Sequence, residues 1–194
     1  MHFPIQIAFK LLTLIPQLYV KDATEKPFAY VRKKFWAFKE DVTVYSDDTQ
    51  SNPLYRIRAD RVIDFRANYR IANMADATLG SIRRKGARSL WRAEYEISIG
   101  DRHVFTVREE SVLVRFLDLV VGQIPIVGFF TGYFLNPTYI VTRQGAGEAL
   151  RMVKHRSFLE SMFKVEKTGQ VNEDEQIVVT LALMMVTFLE RARG

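Results

Sequence analysis

The sequence predicts an all-β fold, a closed antiparallel barrel wrapped around a buried C-terminal helix. Two observations carry that prediction. From Gln17 to Arg108, apolar and polar residues alternate with period two between clusters of turn residues. At the other end, thirteen apolar or hydroxyl side chains run from Ile177 to Leu189, between an acidic triplet and two arginines. A helix that is apolar on every side has to be buried on every side. In a chain made mostly of strands, the container that accomplishes this is a barrel closed around the helix.

The strands follow in order. "PQLYVKDA" and "PFAYVRKK" are short strands joined by a polar turn. "EDVTVYSDDTQSNPLYRIRA" is a hairpin turning at "SDDTQSN"; "ANYRIANMADATLGSIRRKG" repeats the plan around "NMADAT", and "SLWRAEYEISIGDRHVFTVREE" does so around "GD". Enrichment in Tyr, Val, Ile and Phe with even punctuation points to antiparallel sheet and not to alternating strand and helix. "SVLVRFLDLVVG" then changes to a helical stripe, with Ser111 as its cap and Gly122 as its stop, which predicts one internal helix near 111–121. Strands resume with "TYIVTRQ", "EALRMVKHR" and "MFKVEKT". The block "YIVTRQGAGEALRMVKH" echoes "VTVYSDDTQSNPLYRIRAD", which reads as a weak internal duplication.

For the terminal run, Asn172 and Glu175 have the spacing of a capping box. Glu173, Asp174 and Glu175 suit the positive end of a helix dipole, and Arg191 and Arg193 the negative end. A helix over 172–191 follows. Its apolar part measures about 20 Å at ~1.5 Å per residue, whereas a bilayer core needs about 30 Å. Thr180 and Thr187 interrupt the apolar surface, and each is expected to bond back to the carbonyl four residues earlier.

Residues 1–194 are read as one domain, with 1–16, "MHFPIQIAFKLLTLIP", as an apolar N-terminal extension. It invites comparison with a leader peptide, but it lacks a cationic start, Lys10 interrupts the run, and no small-x-small site follows. A cytoplasmic chain is the expectation. The absence of cysteine removes disulfides, thiol catalysis and thiolate zinc sites, and fits a reducing compartment. A net charge of +6 favours anionic partners.

The order of elements and the stretches "YVRKKFWAFKEDVTVYSD" (30–47), "ADRVIDFRANYRI" (59–71) and "LGSIRRKGARSLWRAEYEI" (79–97), with the terminal helix, resemble the tubby C-terminal-like superfamily. Within it the chain is most similar to the LURP-one-related proteins, with phospholipid scramblases as further relatives. The resemblance implies a barrel of about twelve strands around a central helix and a non-enzymatic role; the function expected is a binding or scaffold module that docks reversibly on anionic, phosphoinositide-like membrane lipid. The alternative it implies is a membrane-associated, scramblase-type lipid-handling protein. The chain departs from scramblases in lacking a recognisable calcium loop and a tail beyond the helix.

The candidate lipid or anion site is "SIRRKGARSLWR", with Arg83, Arg84, Lys85, Arg88 and Arg92 beside Trp91. On a strand Arg83 and Lys85 share one face and Arg84 takes the other. The functional reading is a set of cations closing on a headgroup phosphate with Trp91 at the interface; the plain reading is a solvated strand and turn. "RMVKHR" (151–156) and "YVRKK" (30–34) are weaker clusters of the same kind. Nucleic-acid binding is not expected, since no helix carries a basic recognition stripe. His2, His103 and His155 are too scattered for a metal site, Asp60, Asp64 and Asp118 are isolated, "GAGE" (145–148) is a hairpin turn, and no nucleophile has a neighbouring base. No catalytic residue, metal or cofactor is expected. Leu119 to Thr142 is uncharged for 24 residues, but Gly122, Pro125, Gly128, Gly132, Asn136 and Pro137 interrupt it, so it reads as loop and strand on the barrel. The alternative is a membrane-dipping segment with Phe129, Phe130, Tyr133 and Phe134 as its wedge.

Overall fold

In the computed structural model, the described residues are 1–10, 15, 17–32, 41–60, 67–85, 94–110, 137–156 and 160–191. Twelve antiparallel strands form a closed barrel: β1 (Ile5–Lys10), β2 (Gln17–Lys21), β3 (Pro27–Arg32), β4 (Asp41–Tyr45), β5 (Pro53–Ala59), β6 (Asn68–Asn73), β7 (Thr78–Arg84), β8 (Glu94–Ile99), β9 (Arg102–Glu109), β10 (Thr138–Arg143), β11 (Gly147–Arg156) and β12 (Glu160–Lys167). Each strand pairs with its neighbours in sequence, and β1 pairs with β12 to complete the ring. Closure removes every sheet edge.

The helix α1 (Glu173–Arg191) fills the ring. Every residue from Val178 to Phe188 is at most 2% exposed. Around it stand the inward positions of the strands, among them Ile5, Ile7, Leu18, Val42, Ile71, Ile97, Val107 and Val165, all fully buried. α1 leans on β6, β7 and β8, and Gly80 makes the closest approach: a Cβ there would lie 2.7 Å from Cγ1 of Val178 and 2.3 Å from the Ser98 carbonyl oxygen. Near its other end, the Phe188 ring meets Phe9 of β1 edge to face, with centroids 5.1 Å apart. No helix among the described residues is long and apolar enough to cross a membrane.

The cap forms as half of a box, with the Asn172 backbone N–H donating to Oε2 of Glu175 at 2.9 Å. The threonines behave differently from the simple expectation. Thr187 donates to the carbonyl of Met184, three residues back, at 2.7 Å, and Thr180 points its hydroxyl at the Met1 sulfur, 3.7 Å away. One hydroxyl therefore turns back on the helix itself, and the other turns to Met1 at the start of the chain.

The start of the chain corrects the reading of 1–16 as an extension. Ile5, Ile7 and Phe9 alternate with Gln6, Ala8 and Lys10, so this stretch has one apolar face and serves as β1. It pairs with β12 on one side and β2 on the other. Likewise, residues 138–142 of the long uncharged run belong to β10, with Tyr139 and Val141 buried. The rest of that run, and the helix expected near 111–121, lie outside the described residues.

The likeness between the β4–β5 and β10–β11 hairpins has a local cause. A register shift sits beside the turn in all five hairpins at this end: at Val20/Lys21, Val44/Tyr45, Ile71/Ala72, Ile97/Ser98 and Val141/Thr142. A residue of positive φ sits in each of those turns, namely Glu25, Gln50, Asp76, Gly100 and Gly145. One bulge per hairpin raises the local twist that a barrel needs, and any two of these hairpins look alike.

Candidate functional site

β7 splits the expected basic cluster by its alternation. Gly80 and Ile82 face the core, so Arg84 does too: it is 8% exposed, its guanidinium 6.0 Å from the centroid of the Tyr95 ring. Arg84 is thus an interior residue. Arg83 and Lys85 face outward, 60% and 55% exposed. Arg88, Trp91 and Arg92 lie outside the described residues, so the structure brings together only the Arg83–Lys85 part of the set.

Both outward cations are held by carboxylates on β8. Arg83 stands directly opposite Glu96 and its Nη2 donates to Oε2 at 2.5 Å. Lys85 Nζ is 3.2 Å from Glu94 and 3.6 Å from Glu96, and Arg108 of β9 donates to Glu94 at 3.2 Å. The Arg83 hydrogen bond holds the Glu96 carboxyl below the usual range. Burial pushes Glu94 up, but Arg108 and Lys85 outweigh it and leave it lowered. Three cations share two carboxylates, so the ladder keeps an excess of one positive charge.

Beside this ladder runs an open groove of about 820 Å³ on the outer face of β6–β9. Its floor exists because two small residues, Ser81 and Ser98, stand opposite each other across β7 and β8. At one end rise Arg83, Lys85 and Glu96 with Asn68 and Asp60; at the other stand Gly100, Asp101 and His103. Asp60 accepts the Asn68 backbone N–H at 3.0 Å, which ties the end of β5 to β6. His103 is fixed as a wall: Nε2 is 2.9 Å from the Phe105 carbonyl and 3.1 Å from the Thr106 hydroxyl, while Nδ1 faces the Gln144 amide at 3.1 Å. A carbonyl at Nε2 makes that nitrogen the donor, leaving Nδ1 to accept from Gln144. Arg83 and Lys85 were visible in the sequence as a basic pair. Ser81, Ser98, Asn68 and His103 were not, since only the strand register assembles them.

The other basic clusters are dispersed in the same way. Arg151 is paired with Glu148 at 2.9 Å and Glu110 at 3.5 Å, while Lys154 sits 5.9 Å from the Phe163 ring. Arg32 ends β3, and Lys33 and Lys34 lie outside the described residues. Among the described residues no three His, Asp or Glu side chains form a metal-holding group.

A family model described as LURP-one-related matches residues 29–186. No curated protein matches the chain. Among solved structures, the X-ray structure of a protein from Arabidopsis thaliana is similar, with a TM-score of 0.50 and 12% identity over 97% of this chain and 92% of that one. At that identity the likeness concerns the fold alone, the same strand-built barrel.

Proposed function

The chain belongs to the LURP-one-related family, and on that footing we propose that it is a non-catalytic binding module that docks reversibly on anionic, phosphoinositide-like membrane lipid. The observation that carries the reading is the outer ladder of β7–β9, where Arg83, Lys85 and Arg108 are more than half exposed and exceed their carboxylates by one. Topology supports it. Lys85 and Arg108 stand near the strand ends remote from the tight hairpins. The sequence between β3 and β4, β5 and β6, and β7 and β8 reads "KKFWAFKE", "RVIDFR" and "GARSLWRA". Cations interleaved with large aromatics are the composition of segments that rest at a lipid interface.

Each cation near an anionic surface contributes about 1 kcal/mol, so three support loose attachment and not anchoring. Vesicle sedimentation tests the reading: binding to phosphoinositide-doped vesicles and not to neutral ones is the expected result, weakened in Arg83→Ala/Lys85→Ala. Equal binding to both vesicle types removes the proposal. A purified chain that stays dispersed only in detergent points instead to the scramblase-type alternative.

A further inference from the structure

We infer that the groove on β6–β9 recognises hydroxyl groups, making it a site for a polyhydroxylated ligand, either a free polyol or sugar, or the sugar of a lipid headgroup. The inference rests on the docking surface proposed above and specifies what that surface reads. The charges of the groove are largely committed. Arg83 and Lys85 are held by Glu96 and Glu94, so an incoming anion has to compete with carboxylates already in place. The uncommitted groups are of another kind. Among the described residues, the Ser81 and Ser98 hydroxyls, the Asn68 amide and the Asp101 carboxylate make no side-chain hydrogen bond or ion pair, and all four line the groove.

Together they offer hydroxyls that donate or accept, an amide that does both, and a carboxylate that only accepts. That set complements a ligand carrying several adjacent O–H groups better than it complements a bare phosphate. The floor suits it as well. The paired serines leave a depression between the Arg83–Glu96 pair and the His103 wall, and His103 is kept rigid by its bonds to Phe105, Thr106 and Gln144. A space of about 820 Å³ accommodates a sugar ring with its linker.

The test uses the full chain, isotope-labelled for amide NMR. The probes are glucose and inositol as free polyols, inorganic phosphate as a bare anion, and phosphatidylcholine vesicles carrying either a neutral galactolipid or phosphatidylserine. Polyols are expected to shift the amides of Ser81, Ser98 and His103, and phosphate is not. Ser81→Val/Ser98→Val keeps strand propensity and removes both hydroxyls; it should weaken polyol binding about tenfold while leaving the thermal melt and phosphatidylserine-vesicle binding in place. Preference for galactolipid vesicles over the free polyols assigns the ligand to a headgroup, and the reverse assigns it to a soluble sugar. Vesicle binding without any polyol response overturns the inference and leaves the docking proposal standing. A polyol response indifferent to the double valine also overturns it. Absence of any polyol or galactolipid response in the wild type also overturns it, while the docking proposal stands or falls on the phosphoinositide-doped vesicles above.

Discussion

Arg143 on β10 and Glu175 in the first turn of α1, 32 residues apart in sequence, form a two-pronged ion pair at 2.5 and 2.8 Å. Glu175 is 8% exposed and its Oε2 also accepts the Asn172 backbone N–H, so one carboxylate caps the helix and fastens it to the wall. The Arg143 guanidinium lies 5.3 Å from the Phe105 ring, which fixes it from the other side. Arg143→Ala leaves a buried carboxylate without its cation and should cost about 2–4 kcal/mol, read as a fall in Tm. Arg143→Lys keeps the charge, loses the fork, and should recover part of the loss.

The same pair sets a dependence on pH. The Arg143 hydrogen bond is the largest influence on Glu175 and holds its carboxyl below the usual value. A lowered folded-state value means that the stabilisation is complete above the unfolded carboxyl pKa, about 4.3. It is lost as pH falls through that value and on through the folded one. Denaturant midpoints measured from pH 7 down to pH 3 should fall, and the fall should be shallower in Arg143→Ala. Identical slopes in the two proteins mean that Glu175 is not the group responsible.

Gly80 has no room for a methyl group. A Cβ would sit 2.3 Å from the Ser98 carbonyl oxygen and 2.7 Å from the Val178 side chain, backbone on one side and packed helix on the other. Gly80→Ala should destabilise by about 1–3 kcal/mol. The double variant Gly80→Ala/Val178→Ala should regain part of this, because only one of the two obstacles is removed. Equilibrium unfolding of the three proteins measures the coupling.

Truncation after Glu175 removes the contents of the barrel. The thirteen residues Ile177–Leu189 include eleven that are almost completely buried, and losing their burial forfeits on the order of 15 kcal/mol or more. Domains have a net stability of about 5–15 kcal/mol. The shortened chain should fail to melt cooperatively. A soluble, monomeric, cooperatively melting product contradicts the internal helix.

Arg83, Arg84 and Lys85 should separate into two behaviours. Arg84→Ala removes a side chain packed inside the barrel against Tyr95 and should cost about 1–3 kcal/mol of stability. Arg83→Ala and Lys85→Ala cut ion pairs that are more than half exposed on the cationic side, with a cost within about 1 kcal/mol each. Only the outward pair is a clean probe of lipid docking. A triple alanine confounds surface charge with folding.

Local signals were legible in the sequence and long-range ones were not. The hairpins could be placed because their turns and alternation lie within some twenty residues, and the central helix because its lack of a polar face admits one environment. Ile5, Ile7 and Phe9 show the same period as any other strand. In the sequence they stand within the apolar stretch 1–16, which reads as an extension, and no local rule reveals that β12 is their partner. The sequence put Arg84 on the face opposite Arg83 and Lys85; that this face is the inner one follows from Gly80 and Ile82 beside it. The capping role of Glu175 was visible three residues from Asn172, whereas Arg143 was too distant to be found. The groove depends on Ser81 meeting Ser98, which is a matter of register and leaves no mark in either strand alone.

The ring that joins β1 to β12 also sets the order in which the molecule can be finished during synthesis. The final seam needs Glu160–Lys167, and the residues that fill the interior come later still. At about 5–20 residues per second on the ribosome, β1 waits roughly ten seconds or more with an edge unpaired and its apolar face uncovered. The nascent chain therefore spends most of its translation as an open, hollow sheet, a form that invites chaperone binding and aggregation. Substitutions in the last thirty residues should consequently reduce the yield of soluble protein more than equal losses of stability placed in the early hairpins.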